Sequence, residues 1–132
     1  MFTTKKIVRA ITFSNFKANS APILKNLGIL ALKDLFNYKT ISLMYDFDHN
    51  NLPKSLSTLF VRRNDVHDRN LRDNNKNKLY TANRFNNRHG YNSFTHYGAK
   101  LLNMAKDLPF YNDPIHKATF LKKYKKSILE TY

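Results

Sequence analysis

A chain of 132 residues is one domain's worth of sequence, able to bury roughly two-thirds of the surface its unfolded form exposes and so to own a hydrophobic core. It has no cysteine, which excludes a disulfide framework and any thiolate metal site, and no apolar run approaches the roughly 18 residues of a membrane-spanning helix. Twenty-three Lys and Arg against nine Asp and Glu give a formal net charge of +14, an excess that repels itself until a polyanion offsets it.

In chain order, the first acidic residue is Asp34, so the opening segment carries only basic charge. Ile7, Val8 and Ile11 share one helical face beside Lys5, Lys6 and Arg9, a basic amphipathic pattern that also fits a mitochondrial transit peptide. Ser20 is placed to cap a short helix with Pro22 in its first turn, and Gly28 to end it in a left-handed conformation. From about residue 31 to 48 runs the longest helical pattern. Leu32, Phe36, Leu43 and Phe47 form one stripe and Tyr38, Ile41 and Tyr45 a second almost opposite, which predicts a central helix buried on two sides, with Phe36 and Phe47 in the core. Asn51 and Pro53 then start another helix whose Leu52, Leu56, Leu59 and Phe60 are expected to face inward.

Residues 62–78 hold only Val66 and Leu71 as apolar side chains and keep neither helical nor strand period, so they read as an exposed loop. Residues 78–85 and 91–97, rich in aromatics and threonine around an Asn-Asn-Arg-His-Gly connection, predict a β-hairpin. Gly98 then opens a short helix ending near Asp107, closed off by Pro109. Asp113 and Pro114 start the last helix, with Phe120, Leu121, Tyr124 and Ile128 inward and Lys122, Lys123 and Lys126 outward. The expected fold is a single compact domain, residues 1–132, mostly helical (α+β) with one β-hairpin.

Arginine distribution carries the clearest functional signal. Arg62, Arg63, Arg69, Arg72, Arg84 and Arg88 are six of the chain's seven arginines, whereas the sixteen lysines are spread from Lys5 to Lys126. A guanidinium offers a planar fork of donors that grips phosphate, while an ammonium is a point charge. Richness in lysine and asparagine also fits an adenine- and thymine-rich coding sequence; clustered arginines do not follow from that. Tyr80, Tyr91 and Tyr97 lie in the same region and are available to stack on bases or sugars. The opposing reading pairs Asp65, Asp68 and Asp73 with half of these arginines and packs the tyrosines inward.

The order His67, Asn70, Arg72, then Gly90-x-x-Ser93-Phe94, then Gly98 to Asn103, then Leu108-Pro109 resembles the region beyond the polymerase in non-LTR, LINE-type (Jockey-like) retrotransposon reverse transcriptases. That family carries an Ile-His-x-x-Asn-Thr-Arg box, Gly-x-x-Ser-Phe, Gly-Pro-x-Leu-Trp-Asn and Leu-Pro in this order. The run from Ala21 to Leu35 and the Asn50-Asn51-Leu52-Pro53 segment resemble the family's upstream part, so the likeness spans about residues 5–131. Leu71, Ala99, Leu102 and Asn86 depart from the family pattern. The resemblance implies a C-terminal piece of a larger polyprotein, beside an upstream polymerase domain, holding template RNA or target DNA during target-primed reverse transcription. It implies loop-ordering roles for His67 and Asn70. An alternative is a structural module packed on the polymerase thumb.

Catalysis by the chain itself is not expected. The Tyr-x-Asp-Asp signature of a reverse transcriptase palm is missing, and Tyr45-Asp46-Phe47-Asp48 places its two carboxylates in a helical pattern. His67, His89 and His96 with Asp65 or Asp68 lack the spacing of a metal motif, so no metal and no cofactor is expected. The expected partners are RNA or DNA through phosphate contacts at Arg62, Arg63, Arg69, Arg72, Arg84 and Arg88, with Tyr97, Lys122, Lys123 and Lys126 contributing, and no membrane.

Overall fold

The computed structural model describes residues 3–66, 78–79, 81, 89–90, 93–111, 113 and 116–132. Among them the structure is mostly helical: α1 (Thr3–Ile11), α2 (Ser20–Leu27), α3 (Leu32–Asp48), α4 (Lys54–Ser57), α5 (Arg63–Val66), α6 (Phe94–Lys106) and α7 (Lys117–Glu130). They form two compact units, Met1–Lys39 with Ile115–Tyr132, and Thr40–Pro114, the division falling inside α3.

In the first unit α2 packs against α1 and α7. Its interior is made by Val8, Leu24, Leu30 and Phe120. The predicted stripe of α7 holds: Phe120 is fully buried, Leu121, Tyr124 and Ile128 are half-buried, and Lys122, Lys123 and Lys126 are exposed. The α7 cap is His116, whose side chain accepts from the Ala118 N–H, three residues later than the expected Asp113. α2 is capped by Asn19 rather than Ser20, because the Asn19 carboxamide accepts the Ala21 N–H at 3.1 Å. The C-terminal residue closes this unit: the Tyr132 hydroxyl accepts from the Ala31 N–H at 2.8 Å and donates to Asp34 Oδ2 at 2.5 Å.

Three helices end in the same way. The N–H of a residue just beyond the helix bonds five residues back, and that of the residue before it bonds three residues back, with this preceding residue left-handed. At α2 these are Ile29 to Leu24 and Gly28 to Lys25, both 3.0 Å, with Gly28 at φ 63°. At α3 they are Asn51 to Asp46, 2.8 Å, and Asn50 to Phe47, 3.1 Å, with Asn50 at φ 57°. At α1 they are Ser14 to Arg9, 3.0 Å, and Phe13 to Ala10, 3.3 Å, and the left-handed residue is Phe13 at φ 51°. Glycine tolerates this conformation and asparagine is favoured there among other residues, but phenylalanine pays roughly 1–2 kcal/mol for it.

The second unit is built on the last two and a half turns of α3. Ile41, Met44, Tyr45 and Phe47 are buried there with Leu79, Ala99, Leu101, Leu102, Ala105 and Tyr111. α6 comes close to α3 because position 98 has no side chain: a Cβ on Gly98 would stand 2.9 Å from Met44 Sδ and 3.7 Å from Phe60. Phe60 meets Phe47 at 4.9 Å between ring centroids and Phe94 edge-on at 5.8 Å.

Three expectations are corrected. Phe36 is 58% exposed, and Leu32 also faces out, so the two apolar stripes of α3 are not both buried along its length; only Phe47 of the Phe36–Phe47 pair is core. Leu56 and Leu59 are exposed, since α4 is a single turn and cannot present a sustained inward face. The hairpin's second arm is helical from Phe94 onward: Ser93 Oγ accepts the His96 N–H and starts α6 four residues before Gly98, and this cap outweighs the strand preference of Phe94, Thr95 and Tyr97. Of its first arm only residues 78, 79 and 81 are described. There Leu79 forms an isolated antiparallel bridge with Arg62.

Candidate nucleic-acid interface

The arginine-rich stretch is tied together at its base. Arg62 bridges to Leu79, and the Arg63 N–H donates to the Lys78 carbonyl at 3.1 Å, so residues 62–63 and 78–79 run side by side with the stretch between them in sequence. α6 anchors this stem. Asn103 uses both ends of its carboxamide on Leu79, accepting its N–H at 2.8 Å and donating to its carbonyl at 3.0 Å, which is what a neighbouring strand would do. Lys78 Nζ adds an ion pair to Asp107 at 2.8 Å. Leu79 is fully buried beneath these contacts.

The stem's Arg62 also meets Asp48, at the end of α3. Its carboxylate accepts from Lys106 Nζ at 2.8 Å and from the Tyr111 hydroxyl at 2.8 Å, and stands 3.5 Å from Arg62 Nη1. The Asp48 side chain is 14% exposed and that of Lys106 10%. Arg62 also rests over the Phe47 ring, 5.9 Å from its centroid. Burial first, and the Asp48 charge and hydrogen bond next, push the Tyr111 phenol far above its ordinary value. Tyr45 supports the cluster, edge-on to Tyr111 and stacked on His49 at 3.9 Å.

The expected site residues therefore separate. Arg62 is a structural partner in large part: its side chain is 35% exposed, ion-paired and on an aromatic face. Arg63 is half-buried at the start of α5. Tyr97 is half-buried in the first turn of α6. Lys122, Lys123 and Lys126 are exposed on α7, with Lys126 3.9 Å from Glu130. Arg69, Arg72, Arg84, Arg88, His67, Asn70, Tyr80 and Tyr91 lie outside the described residues, as do Asp68 and Asp73. Among the described residues no three His, Asp or Glu side chains converge as a metal site would need, and no helix is long and apolar enough to cross a membrane.

Sequence reasoning missed two features. One is Asn103, whose pairing with a backbone segment some twenty residues away leaves no local signal. The other is the turn after α1, where Phe13 is 97% exposed and Phe16 70%. Two phenylalanines three apart, among Thr12, Ser14, Asn15 and Lys17, fall outside any helical stripe and could have marked it.

No protein-family model, curated protein or solved structure matches the chain.

Proposed function

We propose that this chain is a nucleic-acid-binding domain of a LINE-type reverse transcriptase, set beyond the polymerase and holding template RNA or target DNA while reverse transcription is primed on the target. The reading rests on the closed stem of the arginine stretch. Arg62–Leu79 pairing, reinforced by Asn103, sets residues 62–63 beside 78–79, and the sequence between them carries Arg69 and Arg72. An overall charge of +14 draws phosphate to the chain, and arginine is the side chain best suited to grip it. The order of His67, Asn70, Arg72, Ser93-Phe94 and Asn103 supplies the family.

The second reading, a module packed on the polymerase thumb, is favoured for one residue by its ion pair and ring contact: Arg62 serves the fold through Asp48 and Phe47. Binding of the purified chain to labelled RNA and DNA, followed by fluorescence anisotropy, separates the readings. Arg72→Ala should weaken binding to all sequences alike and leave the melting temperature nearly unchanged. Loss of stability without loss of affinity would give the stretch to the packing reading.

A further inference from the structure

The turn after α1 presents two large aromatic side chains to solvent at a backbone cost. The helix-ending position that α2 fills with Gly28 and α3 with Asn50 is filled here by Phe13, in the same left-handed conformation and almost fully exposed. Nothing in the fold compensates Phe13 by burying it, and residues held in such conformations without a packing reason cluster at binding sites. The turn around it is well tied. Thr12 Oγ1 donates to the Val8 carbonyl at 2.9 Å and meets Ser14 Oγ at 2.8 Å, while Asn15 takes the Lys17 N–H on its side chain and the Ala18 N–H on its carbonyl. Phe16 follows in the same turn. Lys5, Lys6, Arg9 and Lys17 accompany them in a segment with no acidic residue before Asp34, and no described carboxylate pairs with any of the four.

We propose that residues 12–17 form a stacking platform for single-stranded nucleic acid, Phe13 and Phe16 meeting unpaired bases while the neighbouring basic side chains meet phosphates. Exposed aromatics beside unpaired cations are the two parts that such sites combine. The inference rests on the reading of the chain as a nucleic-acid binder and adds a second contact, carried by other residues and selective for unpaired strands. A lipid surface fits the arrangement less well. α1 is only nine residues long and turns Val8 into the interior of its own unit, and the apolar residues it leaves exposed, Ile7 and Ile11, span a single turn, a small face to lay into a bilayer.

The test uses the full chain with labelled oligonucleotides of about 16 nucleotides, oligo-dT and oligo-U, and a duplex of equal length. Phe13→Ala should lower single-strand affinity by about 5- to 150-fold, and Phe16→Ala by a factor in the same range, with little change on duplex. Phe13→Trp should restore binding. Phe13→Gly should weaken single-strand binding and raise the melting temperature, since it relieves the left-handed strain; a residue kept for folding would lower it. The inference is overturned if the wild type binds and both alanine variants bind single strands as tightly as it does. An equal loss on duplex, or a dependence on Phe13 seen only with phosphatidylserine vesicles, would also overturn it. If the wild type binds neither oligonucleotide nor duplex in about 50 mM salt, the proposed function itself fails.

Discussion

Removing the Asp48 carboxylate should be one of the most damaging single changes in the second unit. Three donors converge on it, and they differ in what they lose. Lys106 is almost wholly buried, so Asp48→Ala takes the 2.8 Å ion-pair partner from an ammonium that water hardly reaches; breaking a buried pair in this way costs about 3 to 5 kcal/mol. Tyr111, also buried, loses the acceptor of its hydroxyl, a loss of about 1 to 3 kcal/mol in isolation that overlaps with the first. Arg62 is a third exposed and rehydrates, so its share is below about 1 kcal/mol. The lysine term decides the total, and we expect about 4 kcal/mol. Urea unfolding followed by circular dichroism measures it, with an unchanged m-value showing that the loss is one of stability. Lys106→Met in the Asp48→Ala background should return much of the loss, since the buried ammonium is then gone together with its carboxylate, giving a coupling of about 2 kcal/mol or more. A loss under about 1 kcal/mol, or a coupling near zero, would refute the argument that burial of Lys106 governs the cluster.

Other expected outcomes follow from the same geometry. Phe47→Ala should cost about 3 to 5 kcal/mol, whereas Phe36→Ala on the exposed side of α3 should cost less than about 1; equal losses in thermal melts would contradict the burial described for α3. Asn103→Ala orphans both backbone groups of buried Leu79 and should destabilise by about 1 to 3 kcal/mol, read in the same urea titrations; no change would mean that the stem does not depend on that carboxamide. Because the folded Tyr111 phenol is raised well above the value near 10 that it has when unfolded, its contribution is fully present below about pH 10 and is lost as pH rises further, when only the unfolded chain gives up its proton. Tyr132, raised by burial and by its bond to Asp34, acts in the same direction. Tyr111→Phe should therefore flatten the alkaline fall in stability, and a fall of equal steepness in the variant would count against it.

Much of the helical layout is legible in the sequence because it is written in local signals. Gly28 ends α2, the 3.6-residue stripe of Phe120, Leu121, Tyr124 and Ile128 turns α7 inward, and both depend only on near neighbours. Periodicity cannot say how much of an apolar stripe has something to pack against, and that is why Phe36 and Leu32 read as core and are exposed. Ser93 shows a competition that propensity alone misjudges: an aromatic, threonine-containing run becomes a helix once one hydroxyl caps it. Of the candidate site, the arginine cluster is visible as composition, but its stem is not. Arg62 pairs with Leu79 and Asp48, and Asn103 with Leu79, across separations that leave no pattern in the chain. Phe13 was hidden for a different reason: its left-handed backbone is a property of how α1 ends, and phenylalanine is not a residue that announces such an ending.

The salt dependence of nucleic-acid affinity tests the central claim most directly. With Arg62 held by Asp48, five arginines of the stretch remain for phosphate: Arg63, Arg69, Arg72, Arg84 and Arg88. Counterion release from these five contacts alone then gives a slope of log affinity against log salt of about −4.5 on duplex and about −3.5 on a single strand, and phosphate contacts by the basic side chains near Phe13 would steepen the latter. On those five contacts affinity should fall by at least roughly 500-fold and 130-fold, respectively, between about 50 and 200 mM salt. Arg72→Ala should make the slope shallower by about 0.7 to 0.9 with no change in sequence preference. A slope shallower than about −1, untouched by Arg72→Ala, would mean that these arginines do not meet phosphate, and the account of the chain as a nucleic-acid-binding domain would be contradicted.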